Sequence, residues 1–96
     1  MVVDPDGVEL ETIRSLVDLH ERNVLDVGCG DGRLSFACAE AGAHVFGFDP
    51  DEEAIEVARG ETPWSLRKRV RFEVADAAEI ELPRRKFDLA LFSWSL

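Results

Sequence analysis

Val24-Leu25-Asp26-Val27-Gly28-Cys29-Gly30-Asp31-Gly32 decides the reading of this 96-residue chain. Residues 24–27 read as a short buried strand, and Asn23 breaks the pattern before it. Residues 28–32 carry glycine at every second position and read as a loop. Leu34, Phe36, Ala37, Cys38 and Ala41 then recur at helical spacing, with Gly42 placed to close the helix. Residues 43–48 form a second apolar strand that runs into Asp49-Pro50. Strand, glycine loop, helix and strand make one βαβ unit, which calls for a parallel sheet.

The flanking sequence extends the same pattern. Leu10, Ile13, Leu16, Val17 and Leu19 predict a helix over residues 9–20 with one buried face. Asp51 can cap a third helix, with Glu52 and Glu53 in its first turn, where negative charge suits the helix dipole. Ala54, Ile55, Val57 and Ala58 supply its apolar side, and it ends near Gly60. After a polar connection over residues 61–69, Val70, Phe72 and Val74 alternate with Arg71 and Glu73 as a third strand. Residues 76–85 form a turn or short helix, and residues 87–92 a fourth strand. The fold class is α/β, in one domain over residues 1–96.

Composition narrows the partners. The apolar share of 46% is that of a globular domain, and clustered leucine, valine and phenylalanine argue against disorder. The net charge is −9 and unevenly spread. Fifteen acids face four bases before Arg67, and seven bases face five acids from there on. The bases form two runs, Arg67-Lys68-Arg69 with Arg71 and Arg84-Arg85-Lys86, which read as solvated turns that could touch phosphate or an acidic partner. The acidic excess disfavours a nucleic-acid partner. No apolar run approaches a membrane span, and Met1-Val2-Val3-Asp4-Pro5 lacks the build of a secretory signal. Cys29 and Cys38 form neither a metal-ligand set nor a redox pair, so no metal is expected and a reducing, cytoplasmic setting is. Cys38 reads as buried filler, Phe48 and Phe92 as core, and His20 and His44 as a helix end and a strand surface.

The βαβ unit is a ligand frame for physical reasons. Glycines let the backbone turn sharply and let a ligand approach without a Cβ clash, and the next helix offers unpaired N–H groups. An acid at the end of the second strand can accept from both ribose hydroxyls. Asp49 stands 21 residues after Gly28, at the expected offset. A dinucleotide fingerprint would carry a third glycine where Arg33 stands, and Asp26 and Asp31 would oppose a pyrophosphate. S-adenosyl-L-methionine, with its sulfonium, ammonium and carboxylate, suits an acidic loop with exposed amides better. Simpler readings compete at each acid: backbone amides satisfy a buried Asp26, Asp31 or Asp76 caps a helix, Asp49 serves a turn.

Residues 24–32 resemble the first motif of class I S-adenosylmethionine-dependent methyltransferases, and Asp49 resembles their ribose-binding acid. Val74-Ala75-Asp76-Ala77 is similar to the family's adenine-binding stretch, and Phe87-Asp88-Leu89-Ala90-Leu91-Phe92 to its fourth strand. The resemblance covers about residues 8–96. It implies a three-layer Rossmann-like fold with a mostly parallel sheet, of which about four of seven strands are visible. It also implies a cofactor site of Asp26, Gly28, Cys29, Gly30, Asp31, Gly32, Asp49, Pro50, Asp76, Ala77 and Ser93. In the family the acid matching Asp26 braces the loop and faces the methionine end. The acceptor pocket and any base come from the fourth strand onward, so no catalytic residue is assigned. Ser93-Trp94-Ser95 lacks the Asn/Asp-Pro-Pro-Tyr/Phe motif of many amino-group methyltransferases, which makes a small-molecule acceptor the expectation. Leu89, Leu91, Phe92 and Trp94 are expected on or beside an uncovered strand edge, open to self-association or to a partner, as in a truncated chain. A non-catalytic cofactor-binding module and a nicotinamide-dependent dehydrogenase are the alternatives.

Overall fold

The computed structural model describes residues 2–3, 18–76 and 87–92. Its strands are β1 (Val2–Val3), β2 (Asn23–Val27), β3 (His44–Asp49), β4 (Val70–Val74) and β5 (Leu89–Phe92). The helices are α1 (Arg33–Glu40) and α2 (Glu52–Glu61), and a 3₁₀ turn spans Trp64–Leu66. The sheet has the order β1-β5-β2-β3-β4, and every pairing is parallel. Helices α1 and α2 form the crossovers that parallel neighbours need.

β2 lies at the centre and is buried from Val24 to Val27, which is why it reads as a run rather than an alternation. Register sorts the side chains onto two faces. Val24, Val45, Leu89 and Leu91 pack with Cys38 and Ala39 of α1, while Ile55 and Ala58 of α2 pack with Phe72. Leu25, Val27 and Phe48 gather on the other face with Phe46, Phe87, Ala90 and Phe92. Asp51 caps α2 by accepting from the N–H groups of Glu53 and Ala54 at 3.0 and 3.3 Å. Gly42 takes φ +102° behind α1 and donates to Ala39 O, closing that helix as its position predicts.

Three expectations change. The fourth-strand edge is not bare: β1 pairs with β5, Val2 opposite Ala90 and Val3 opposite Leu91. Two valines have no period to read, and their partners lie near the other end of the sequence. The predicted helix over residues 9–20 falls outside the described residues as far as 17, and residues 18–20 are not helical. There Glu21 turns the chain at φ +59° and donates its N–H to Gly42 O at 2.8 Å. The second strand also runs one residue further than predicted, because Asp49 pairs with Val74 of β4. Trp94 lies outside the described residues. Among the described residues no helix is long and apolar enough to cross a membrane.

Candidate functional site

The carboxyl ends of β2, β3, β4 and β5 stand side by side: Val27 pairs with Phe48 and with Phe92, and Asp49 with Val74. β2 is the strand from which the order departs in both directions, and in open parallel sheets the crevice at such a point is where ligands bind. The glycine loop leaves β2 here.

Backbone contacts hold the loop. Gly28 and Cys29 both donate to Phe48 O, at 2.9 and 3.0 Å, and Gly32 donates to Cys29 O at 3.0 Å. Gly28, Gly30 and Gly32 have φ of +71°, +57° and +85°. Gly32 is needed twice over. Its φ is left-handed, and a Cβ there would stand 2.7 Å from Phe72 Cζ and 3.2 Å from Phe36 Cζ. Those two rings meet edge to face, 5.6 Å between centroids, and form the floor under the loop. Gly32 is also the residue that caps α1, and it has no side chain to spend on the helix end. The nearby acid Asp31 accepts the Arg33 N–H at 3.2 Å and is exposed, but the cap position itself belongs to Gly32.

Asp49 serves the turn and the loop at once. Its Oδ1 accepts from Asp51 N–H at 2.9 Å, and its Oδ2 accepts from Gly30 N–H at 3.0 Å across the crevice. A carboxylate can accept about four hydrogen bonds, so capacity remains on both oxygens. Pro50 is exposed in the bend beside it. Asp76 is exposed just past β4, where Ala75 N–H donates to Asp49 O at 3.1 Å. The structure therefore brings Gly28 to Gly32, Asp49, Pro50 and Asp76 to one end of the sheet, while Ala77 and Ser93 fall outside the described residues.

Asp26 has no exposed surface, and its Oδ2 accepts from Ser35 Oγ of α1 at 2.6 Å. Ser35 is the polar residue that the sequence reading passes over. The available signal is a hydroxyl three positions before Cys38, on the inward face of α1, at a distance that can reach an acid in the strand beneath.

Both cysteines are held as buried, neutral thiols. Burial, followed by the charge of Asp26 and then Asp49, pushes the Cys29 thiol up to about 12. Burial, with Asp26 again, pushes Cys38 up to about 12. Both are free thiols. Among the described residues no three His, Cys, Asp or Glu gather as a metal site.

A cavity of about 780 Å³ lies at the opposite ends of the strands, lined by Asn23, His44, Phe46, Arg69, Arg71 and Phe87 among others. Its arginines are engaged. Arg69 reaches Gly42 O and Glu21 at 2.9 and 3.1 Å, Arg71 faces Glu73 at 3.4 Å, and Arg67 stacks on Trp64. No residue of the glycine loop lines it.

Comparison with known proteins agrees with this geometry. A family profile described as "Methyltransferase domain" matches residues 19–96. The chain is 38% identical over 78 residues to protein arginine N-methyltransferase 1 of Schizosaccharomyces pombe, covering 77% of this chain and 22% of that protein. It is 34% identical over 82 residues to a ubiquinone biosynthesis O-methyltransferase of Coxiella burnetii, covering 85% of this chain and 35% of that protein. The crystal structure of magnesium protoporphyrin IX methyltransferase from Synechocystis PCC 6803 with bound SAH superimposes with a TM-score of 0.69 at 30% identity. That match covers 81% of this chain and 35% of the other. The chain thus spans between about a fifth and about a third of the curated relatives' length.

Proposed function

The chain belongs to the class I S-adenosylmethionine-dependent methyltransferases, and from that premise we propose that it is the cofactor-binding portion of such an enzyme. The observation that carries this reading is Asp49, at the end of β3, whose carboxylate is tied to Gly30 N–H at 3.0 Å and retains acceptor capacity. Paired ribose hydroxyls suit that capacity. Asp76, one strand over, would accept from the adenine amino group, with Ala77 N–H beside the ring, and Ser93 would follow at the end of β5. The glycine amides are taken within the loop, so the remaining open N–H groups at the start of α1 would receive the carboxylate of the methionine end. Asp31 and the buried Asp26 add negative charge that suits the ammonium and sulfonium. A pyrophosphate would meet the same two acids, which weighs against a nicotinamide cofactor.

S-adenosylmethionine, when bound, supplies a methyl group on a sulfonium. The chain's own contribution is to hold that group in line and exclude water around it. No base is assigned. Cys29 is held neutral at physiological pH, and His44 lies at the far end of β3, 3.0 Å from Glu21. We propose a small-molecule acceptor, supported by the ubiquinone-biosynthesis relative and by the tail Ser93-Trp94-Ser95. The arginine methyltransferase relative makes a protein acceptor the competing outcome. A cytoplasmic setting belongs to the same proposal, supported by two free thiols.

Calorimetric titration tests the cofactor. S-adenosylhomocysteine should bind and NAD should not; the reverse result overturns the reading. Transfer of a labelled methyl group into small molecules rather than protein tests the acceptor. A second reading, a binding module without turnover, gives binding with no transfer.

A further inference from the structure

Asp26 and Ser35 are the two buried polar side chains among the described residues, and neither has exposed surface. The Ser35 hydroxyl donates to Asp26 Oδ2 at 2.6 Å, within the range of O–H···O⁻ bonds strengthened by charge. The bond spans the glycine loop at its base. Asp26 stands two residues before Gly28 in β2, and Ser35 stands three after Gly32 in α1. Helix stability gives no reason for a serine here, since alanine is the better helix former and the neighbours are Leu34, Phe36, Ala37 and Cys38. A buried carboxylate, in contrast, needs donors, and removing one is costly. Above this bond the loop is held by backbone contacts to Phe48, by Gly32 N–H to Cys29 O and by the Gly30 contact to Asp49.

We infer that Ser35 is a positioning residue of the cofactor site. By holding Asp26 it fixes the gap between the end of β2 and the start of α1. The loop amides and the open helix end are thereby set at the spacing a ligand must meet. This rests on the cofactor reading above. It adds that affinity depends on a hydroxyl one layer beneath the ligand, acting through Asp26.

Ser35→Ala, Ser35→Thr and the near-isosteric weak donor Ser35→Cys test it in the whole chain. Calorimetry with S-adenosylhomocysteine should show affinity about tenfold weaker in Ser35→Ala, the size expected for one lost bond to a buried charged group, and close to wild type in Ser35→Thr. Ser35→Cys should weaken binding in the same direction and serves where Ser35→Ala does not fold. In an Asp26→Asn background, Ser35→Ala should change affinity less than twofold, because the serine acts through that carboxylate. Amide exchange in the unliganded chain should quicken at Gly30 and Gly32 in Ser35→Ala and stay unchanged at Val45 in β3. A lower melting temperature with unchanged affinity and unchanged loop exchange would mean that Ser35 is structural only, and the inference falls. A wild-type chain that gives no heat overturns the cofactor reading itself, and loop exchange then judges the clamp separately.

Discussion

Beside the glycine loop the acids accept from a backbone amide and a buried hydroxyl, whereas at the amino ends of the strands exposed side chains of opposite charge pair with one another, alongside backbone contacts such as Asn23 N–H to Asp88. Gly30 N–H to Asp49 and the buried Ser35 hydroxyl to Asp26 represent the first arrangement. Glu21 with His44 and Arg69, and Arg22 with Asp88, represent the second. A backbone amide and a fully buried hydroxyl have little freedom to swing away, so the loop end holds a fixed shape. The opposite end matches its charges locally, and partners there satisfy one another. The first arrangement offers a fixed geometry to a ligand, although the cavity of about 780 Å³ is at the second.

Glycines at the two ends break this comparison most sharply. Gly32→Ala should destabilise the chain by about 2–4 kcal/mol, combining a left-handed φ with a clash on Phe72. The ring has little room to retreat, because a Cβ on Gly47 would stand only 3.0 Å from its Cδ1. Denaturant unfolding measures this, and a loss under 1 kcal/mol would mean the floor of the loop is soft. Next in size, Asp49→Ala should weaken S-adenosylhomocysteine binding by about 1–3 kcal/mol, through lost bonds to a charged acceptor. An unchanged affinity in a folded variant would reduce Asp49 to a turn residue. Gly60, in the last turn of α2 with nothing within 4 Å of its would-be Cβ, behaves oppositely. Gly60→Ala should add about 0.5–1 kcal/mol of stability, and a loss would show that the end away from the loop is also tightly fitted.

The local patterns explain how much of this was legible in the sequence. β2, β3 and β4 announce themselves as apolar runs or alternations, and α2 by Asp51 and its acidic first turn. The glycine loop and Asp49 are recognisable because their spacing in the chain is the spacing the ligand frame requires. What the sequence hides depends on partners far away. Val2–Val3 is meaningful only beside Ala90 and Leu91. Ser35 is one serine in an apolar helix until Asp26 is seen beneath it. Asp49 reads as either a turn acid or a ligand acid, and its two oxygens divide between the turn and the loop. Asp26 likewise has competing roles in the sequence, and its hydrogen bond to Ser35 is visible only in the fold.

The smallest effect belongs to Glu21 and tests whether the exposed end is as locally balanced as it looks. Hydrogen bonds from His44 and then Arg69 hold its carboxyl below the usual value of 4.5. A folded-state value lowered in this way adds stability that is present above the unfolded value and is lost as pH falls through the folded one. Stability should therefore decline on acidification below about pH 4.5, part of that decline belonging to Glu21. The group is fully exposed and the pairs are screened, so the contribution is small and should shrink further with added salt. Glu21→Gln keeps the backbone turn at φ +59° and removes the titration. Its unfolding midpoint, measured from pH 6 to pH 3, should fall less steeply than that of the wild type, and the two curves should converge at high salt. Parallel curves would mean that His44 and Arg69 rest on other partners. In that case the difference between the two ends of the sheet would owe less to side-chain charge pairing than the contacts imply.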